Sequence, residues 1–209
     1  MERIRRRLDL ETKITIYGSG TNRSARPIWT ADELGLEYEL VATEELMADP
    51  ELRSAHPQGK IPSAKVAGLM LFESVAICEY FCDLHPNNQL LAESGSSDRA
   101  LHTQWVSFAQ SEIEAYLWHN FQLDRSAQGA NSFANVRDIN RGMTLSGLNA
   151  INTHLENSEY IGGSLFTLTD IVVGWTLNWA RRRGLTEDFL AIDAYLAKLF
   201  LRPSCPLAR

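Results

Sequence analysis

Glu73 and Ser74 close the run GKIPSAKVAGLMLFES (59–74), where strand-like alternation gives way to helical spacing. A helix beginning there presents a positive end. The Ser74 N–H and hydroxyl are donors suited to a carboxylate, and Glu73 can accept from a cation or orient the surrounding donors. Ser74 is equally an ordinary N-cap flanked by an acid, and both roles can hold because a cap keeps free donors. A second set of donors lies in GSGTNRSAR (18–26), where Thr21 offers a hydroxyl and Asn22 an amide. Gly, Ser, Thr and Asn also fill such loops for conformational reasons. Other chemistries are poorly provided for. Cys78, Cys82 and Cys205 lack CxxC spacing, and the first two fall in an apolar helical run where thiols pack as small hydrophobes. His102, His119 and His154 are scattered, so no metal site is expected.

The elements that must hold these residues follow from apolar periodicity. Residues 13–17 alternate into a turn-rich loop and read as a strand. Residues 26–34 carry Ile28, Trp29, Ala31 and Leu34 near helical spacing, with Pro27 tolerable in a first turn and Gly35 placed as a C-terminal cap. A strand at 38–41 completes β-α-β, and a helix is expected within 44–55. Strands at 63–66 and 69–72, joined by Ala67-Gly68, form a hairpin, and a helix runs from Ser74 to a stop at His85-Pro86. The polar stretch at 87–97 reads as a linker. Beyond it, residues 99–123, 136–155, 170–182 and 189–201 repeat apolar side chains at helical intervals, and Thr167 to Asp170 has capping-box spacing. The expected organisation is a leader at 1–12, an α/β domain at 13–86, the linker, and an all-helical domain at 98–209.

Bulk properties narrow the class. The 209 residues, 44% hydrophobic and 22% charged, are enough for one large or two smaller globular domains. A formal net charge of −6 argues against a general nucleic-acid binder. The arginine-rich leader has no apolar segment and is no secretory signal, and no apolar run is long enough to span a bilayer. A cytoplasmic protein without membrane or nucleic-acid partners is expected.

The order of elements, with GKIPS leading a hairpin, ESVAI closing it, FTLTDI in the helical half and RPIWTADELGLEYE in the first helix, resembles the soluble glutathione transferases. The likeness covers nearly the whole chain after the leader and is to bacterial-like members of serine/threonine type rather than cysteine type, since the first loop holds no cysteine. It implies a thioredoxin-like βαβαββα domain that binds glutathione, a helical domain that shapes the pocket for an electrophile, and a homodimer. No permanently bound cofactor is implied; glutathione is a co-substrate.

The resemblance also assigns roles. Pro62 is the cis-proline before the third strand, leaving the Ile61 backbone to pair with the extended tripeptide as an added strand. Ser74 receives the γ-glutamyl carboxylate and Glu73 its ammonium. His56 and Lys60 are candidates for the glycine carboxylate, although such side chains in a polar loop are commonly only solvated. The thiolate needs a donor from the first loop, with Thr21 ahead of Asn22, while Ser19, Ser24 and Tyr17 are less favoured. Arg26 marks the register, because serine-type relatives also carry an arginine there. Trp105, Phe108, Glu112 and Tyr116 share one side of a helix and are candidates for the second-substrate pocket, and Trp118 and His119 for its mouth. The expected activity is conjugation of glutathione to a small apolar electrophile. A glutathione-dependent peroxidase or isomerase, and a non-catalytic binding or regulatory protein, are the alternatives.

Overall fold

A computed structural model of the chain describes residues 13–20, 22–42, 56–85, 88–126 and 133–207. The leader, Thr21 and the helix expected within 44–55 lie outside them. The chain divides into two compact units, residues 1–92 with 202–209, and residues 93–201.

The first unit contains β1 (Ile14–Tyr17), α1 (Ala25–Leu34), β2 (Glu39–Val41), β3 (Ser63–Val66), β4 (Leu69–Phe72) and α2 (Ser74–Leu84). The sheet order is β2-β1-β3-β4, with β1 and β2 parallel and the other pairs antiparallel. This is the thioredoxin-like arrangement. The pleat sends Ile14, Ile16, Ala64 and Val66 to one face, where they pack with Ile28 and Ala31 of α1 and Ile77 and Phe81 of α2. Ala67 and Gly68 both take positive φ, 48° and 86°, as a two-residue hairpin turn requires. Gly35 ends α1 at φ 66°, its N–H reaching the Ala31 and Asp32 carbonyls.

Residues 202–207 belong to this unit, not to the helical domain at 98–209 in which the sequence places them. Arg202 and Ser204 both donate to the Glu33 carboxylate near the end of α1, which holds the C-terminal segment there.

The second unit is helical: α3 (Ser97–Ala109), a π-helical turn (Gln110–Glu114), α4 (Ala115–Asp124), α5 (Ala134–Leu155), α6 (Leu168–Arg182) and α7 (Leu190–Phe200). The π turn breaks what the periodicity predicts as one regular helix over 99–123. Gly147 of α5 packs against it, and a Cβ there would stand 2.7 Å from the Glu112 carbonyl oxygen. A glycine is therefore required by close approach. Asp170 fills the capping-box position at the head of α6, accepting from Thr167 N–H at 2.8 Å, and also takes Ile161 N–H and the Tyr195 hydroxyl. Among the described residues, no helix is long and apolar enough to cross a membrane.

Candidate ligand site at the start of α2

Two chain crossings in the first unit build the candidate site. The first is the loop from β1 into α1. Asn22 organises it: Oδ1 accepts from Ser24 N–H at 2.8 Å and from Ser24 Oγ at 2.6 Å, while Nδ2 donates to Ser19 Oγ at 3.0 Å. The Ser24 hydroxyl lies so close to Gly18, at φ 138°, that a Cβ on residue 18 would fall 1.8 Å from it. Only glycine fits. Much of the Asn22 amide is thus used inside the turn.

The second crossing runs from β3 through β4 into α2. The Ile61-Pro62 peptide is cis, and the β3 ladder starts one residue later, with Ser63 opposite Tyr17 and Phe72. Ile61, Val41 and Met70 pack against the buried Tyr17. Glu73 takes φ 69° and ψ 114°, an uncommon conformation for a non-glycine residue, and turns the chain sharply into α2. Its side chain makes no capping hydrogen bond. The Ser74, Val75 and Ala76 amides are the first-turn donors that no helical carbonyl can reach. They have no protein acceptor among the described residues.

Arg26 joins the two crossings. From the first turn of α1 its fully buried guanidinium donates through Nη1 to Ser74 Oγ at 3.2 Å. The sequence offers Arg26 only as a register marker; the signal that was there to read is a cation among the apolar positions of a buried helix face.

His56 and Lys60 precede Pro62 in the same segment. His56 is buried against Phe72, ring centroids 5.0 Å apart, and its Nδ1 accepts from Gln58 N–H at 3.0 Å. In the neutral ring this places the proton on Nε2, leaving that nitrogen a donor. Lys60 is exposed. Cys78, one turn into α2, is no nucleophile: burial pushes its thiol up to about 12, although a hydrogen bond with Thr30 and the charge of Arg26 oppose the rise. Among the described residues, no group of three or more His, Cys, Asp or Glu is placed to hold a metal.

In the second unit, Trp105, Phe108, Glu112 and Tyr116 form a half-buried stripe beside the fully packed Val106, Ala109, Ile113 and Leu117. Trp105 meets Phe108 edge-on at 5.8 Å and lies 4.4 Å from the His154 ring. Trp118 stacks on Phe121 at 5.4 Å. His119 Nδ1 lies 3.1 Å from the Asn140 amide.

Residues 12–82 match the family described as Glutathione S-transferase, N-terminal domain. The chain is 24% identical over 208 residues to Glutathione S-transferase 3 of Schizosaccharomyces pombe, covering 93% of this chain and 86% of that protein. It is 28% identical to Elongation factor 1-gamma 3 of rice, over 88% of this chain but 44% of that longer protein. Among solved structures, a glutathione transferase family member from Pseudomonas fluorescens, crystallised with two glutathione bound, superposes with a TM-score of 0.81 at 26% identity, covering 96% of this chain and 93% of that one.

Proposed function

We propose that the chain is a soluble glutathione S-transferase, similar to that family over residues 12–82 and to transferases along most of its length, and that it binds glutathione, holds its thiol as a thiolate and transfers it to a small apolar electrophile. The observation that carries this reading is the start of α2: amides without acceptors and a Ser74 hydroxyl held from behind by Arg26. There the γ-glutamyl carboxylate meets a positive helix end, with Glu73 beside it for the ammonium. The Ile61 backbone, just ahead of the β3 ladder, pairs with the middle of the tripeptide. His56 Nε2–H and Lys60 receive the glycine carboxylate. Thr21 donates to the sulfur, favoured over Asn22 because the Asn22 amide serves the turn. The stripe of Trp105, Phe108, Glu112 and Tyr116 lines the electrophile's pocket.

A homodimer in the cytoplasm completes the proposal. It is supported by Leu69 and Phe72, exposed on the edge strand β4, and by Val136, Ile139 and Met143, exposed along α5 at helical spacing. The likeness to an elongation factor 1-gamma favours a second reading, in which the fold is a binding or regulatory module without catalysis. Immobilised glutathione and a conjugation assay with an activated aryl halide separate the two. Retention with turnover supports the enzyme, including a peroxidase or isomerase variant if peroxide or isomerisable substrates are also turned over. Retention without turnover supports the module, and passage of folded protein through the column contradicts glutathione binding altogether.

A further inference from the structure

Ser74 has one hydroxyl proton, and its oxygen already accepts from Arg26 Nη1. That proton has no acceptor among the described residues, although the side chain is 3% exposed. A buried hydroxyl with an unspent donor is costly unless a ligand or water completes it. Arg26 itself is fully buried, and the Thr30 hydroxyl donates to its carbonyl at 2.9 Å one turn later in α1. The guanidinium sits at the heads of two helices, so its charge adds to their positive ends.

We infer that Arg26 is a positioning and specificity-determining residue: by occupying Ser74 Oγ from the interior, it makes the hydroxyl a donor, so that the site selects ligands presenting a free carboxylate at this point. The inference rests on the glutathione reading above. A neutral amide at the same place would bring N–H groups toward a buried cation and oriented helix amides, and would forgo a charge-assisted hydrogen bond. Glu73 faces the other way in charge, which suits the ammonium next to that carboxylate. Arg26 thus acts through Ser74 and touches no reacting atom.

The test is the ratio of two dissociation constants on one folded protein, for glutathione and for its analogue with the γ-glutamyl α-carboxylate converted to a carboxamide. A role confined to stability does not alter this ratio. Wild type should prefer glutathione by about 10- to 100-fold. Arg26→Gln and Ser74→Ala should each bring the ratio near unity, with little further change in the double variant, while Arg26→Lys should restore part of it. If Arg26→Gln does not fold, Arg26→Lys still reports, because its shorter, unforked side chain should lower the ratio below wild type. An unchanged ratio in whichever Arg26 variant folds overturns the inference, as does a wild type that binds both ligands equally. A wild type that binds neither instead removes the glutathione reading on which the inference depends.

Discussion

Arg202 forks onto Glu33, with Nε 2.7 Å from Oε1 and Nη2 2.6 Å from Oε2. The same carboxylate accepts from Ser204 and from the indole N–H of Trp29 at 3.0 Å, so a C-terminal segment and the middle of α1 share one acceptor. Arg202→Ala should cost the first unit about 1–2 kcal/mol, because Glu33 loses its charged partner while half-buried. Urea unfolding followed by the fluorescence of the buried Trp29 measures it. No change in midpoint would show that the fork contributes nothing.

The same contact sets a pH dependence. Burial alone raises the Glu33 carboxyl, but hydrogen bonds from Arg202, Ser204 and Trp29, with the charge of Arg202, outweigh burial and hold it below the ordinary range. Since its folded pKa lies below the unfolded value, the contribution is full above about pH 4.3 and disappears as pH falls through the folded pKa. The stability gap between wild type and Arg202→Ala should therefore be constant near neutrality and narrow in acid. A gap that widens in acid would contradict the sign.

Asp170 in the second unit is fully buried and accepts from Ile161 N–H, Thr167 N–H and Oγ1, and Tyr195. Asp170→Ala leaves these donors unsatisfied and should destabilise by about 3–5 kcal/mol. Thermal unfolding gives the value, and a loss below about 1 kcal/mol would mean that water replaces the carboxylate.

Ser63 follows the cis-proline and is fully buried, yet its hydroxyl finds no hydrogen-bond partner among the described residues. Ser63→Ala removes the desolvation penalty and should leave stability unchanged or raise it by about 1 kcal/mol. A clear loss in denaturant unfolding would reveal a partner for the hydroxyl.

Ile139 is 65% exposed on α5 between Val136 and Met143. If a second copy covers this stripe, Ile139→Asp should shift the protein to the monomer mass in light scattering at unchanged helix content. A monomeric wild type, or a dimer indifferent to the substitution, would contradict that arrangement.

The first unit was legible in its strands and in α1 and α2 because local rules decide them: β1, β3 and β4 follow the alternation, Ala67-Gly68 makes the turn, and Gly35 ends α1. What escaped the sequence is long-range or periodically silent. Arg26 meets Ser74 across 48 positions, and Arg202 meets Glu33 across 169, distances at which no spacing rule operates. The π turn at Gln110–Glu114 shifts the helix face by a fraction of a turn without interrupting the apolar repeat, so it reads as regular helix. The start of α2 at Ser74 could be read because Glu73-Ser74 coincides with a change of period. The Asn22 amide bonds to Ser19 and Ser24 inside the turn, a geometry that residue types common to such loops do not specify.

The central claim, that the head of α2 receives a carboxylate of glutathione, is tested most directly by calorimetric titration of glutathione into the wild type and Ser74→Ala. Glutathione should bind the wild type saturably and the variant about 10- to 100-fold more weakly, while the melting temperature stays near wild type. Saturable binding of equal strength in both proteins, or no binding to a folded wild type, would contradict it.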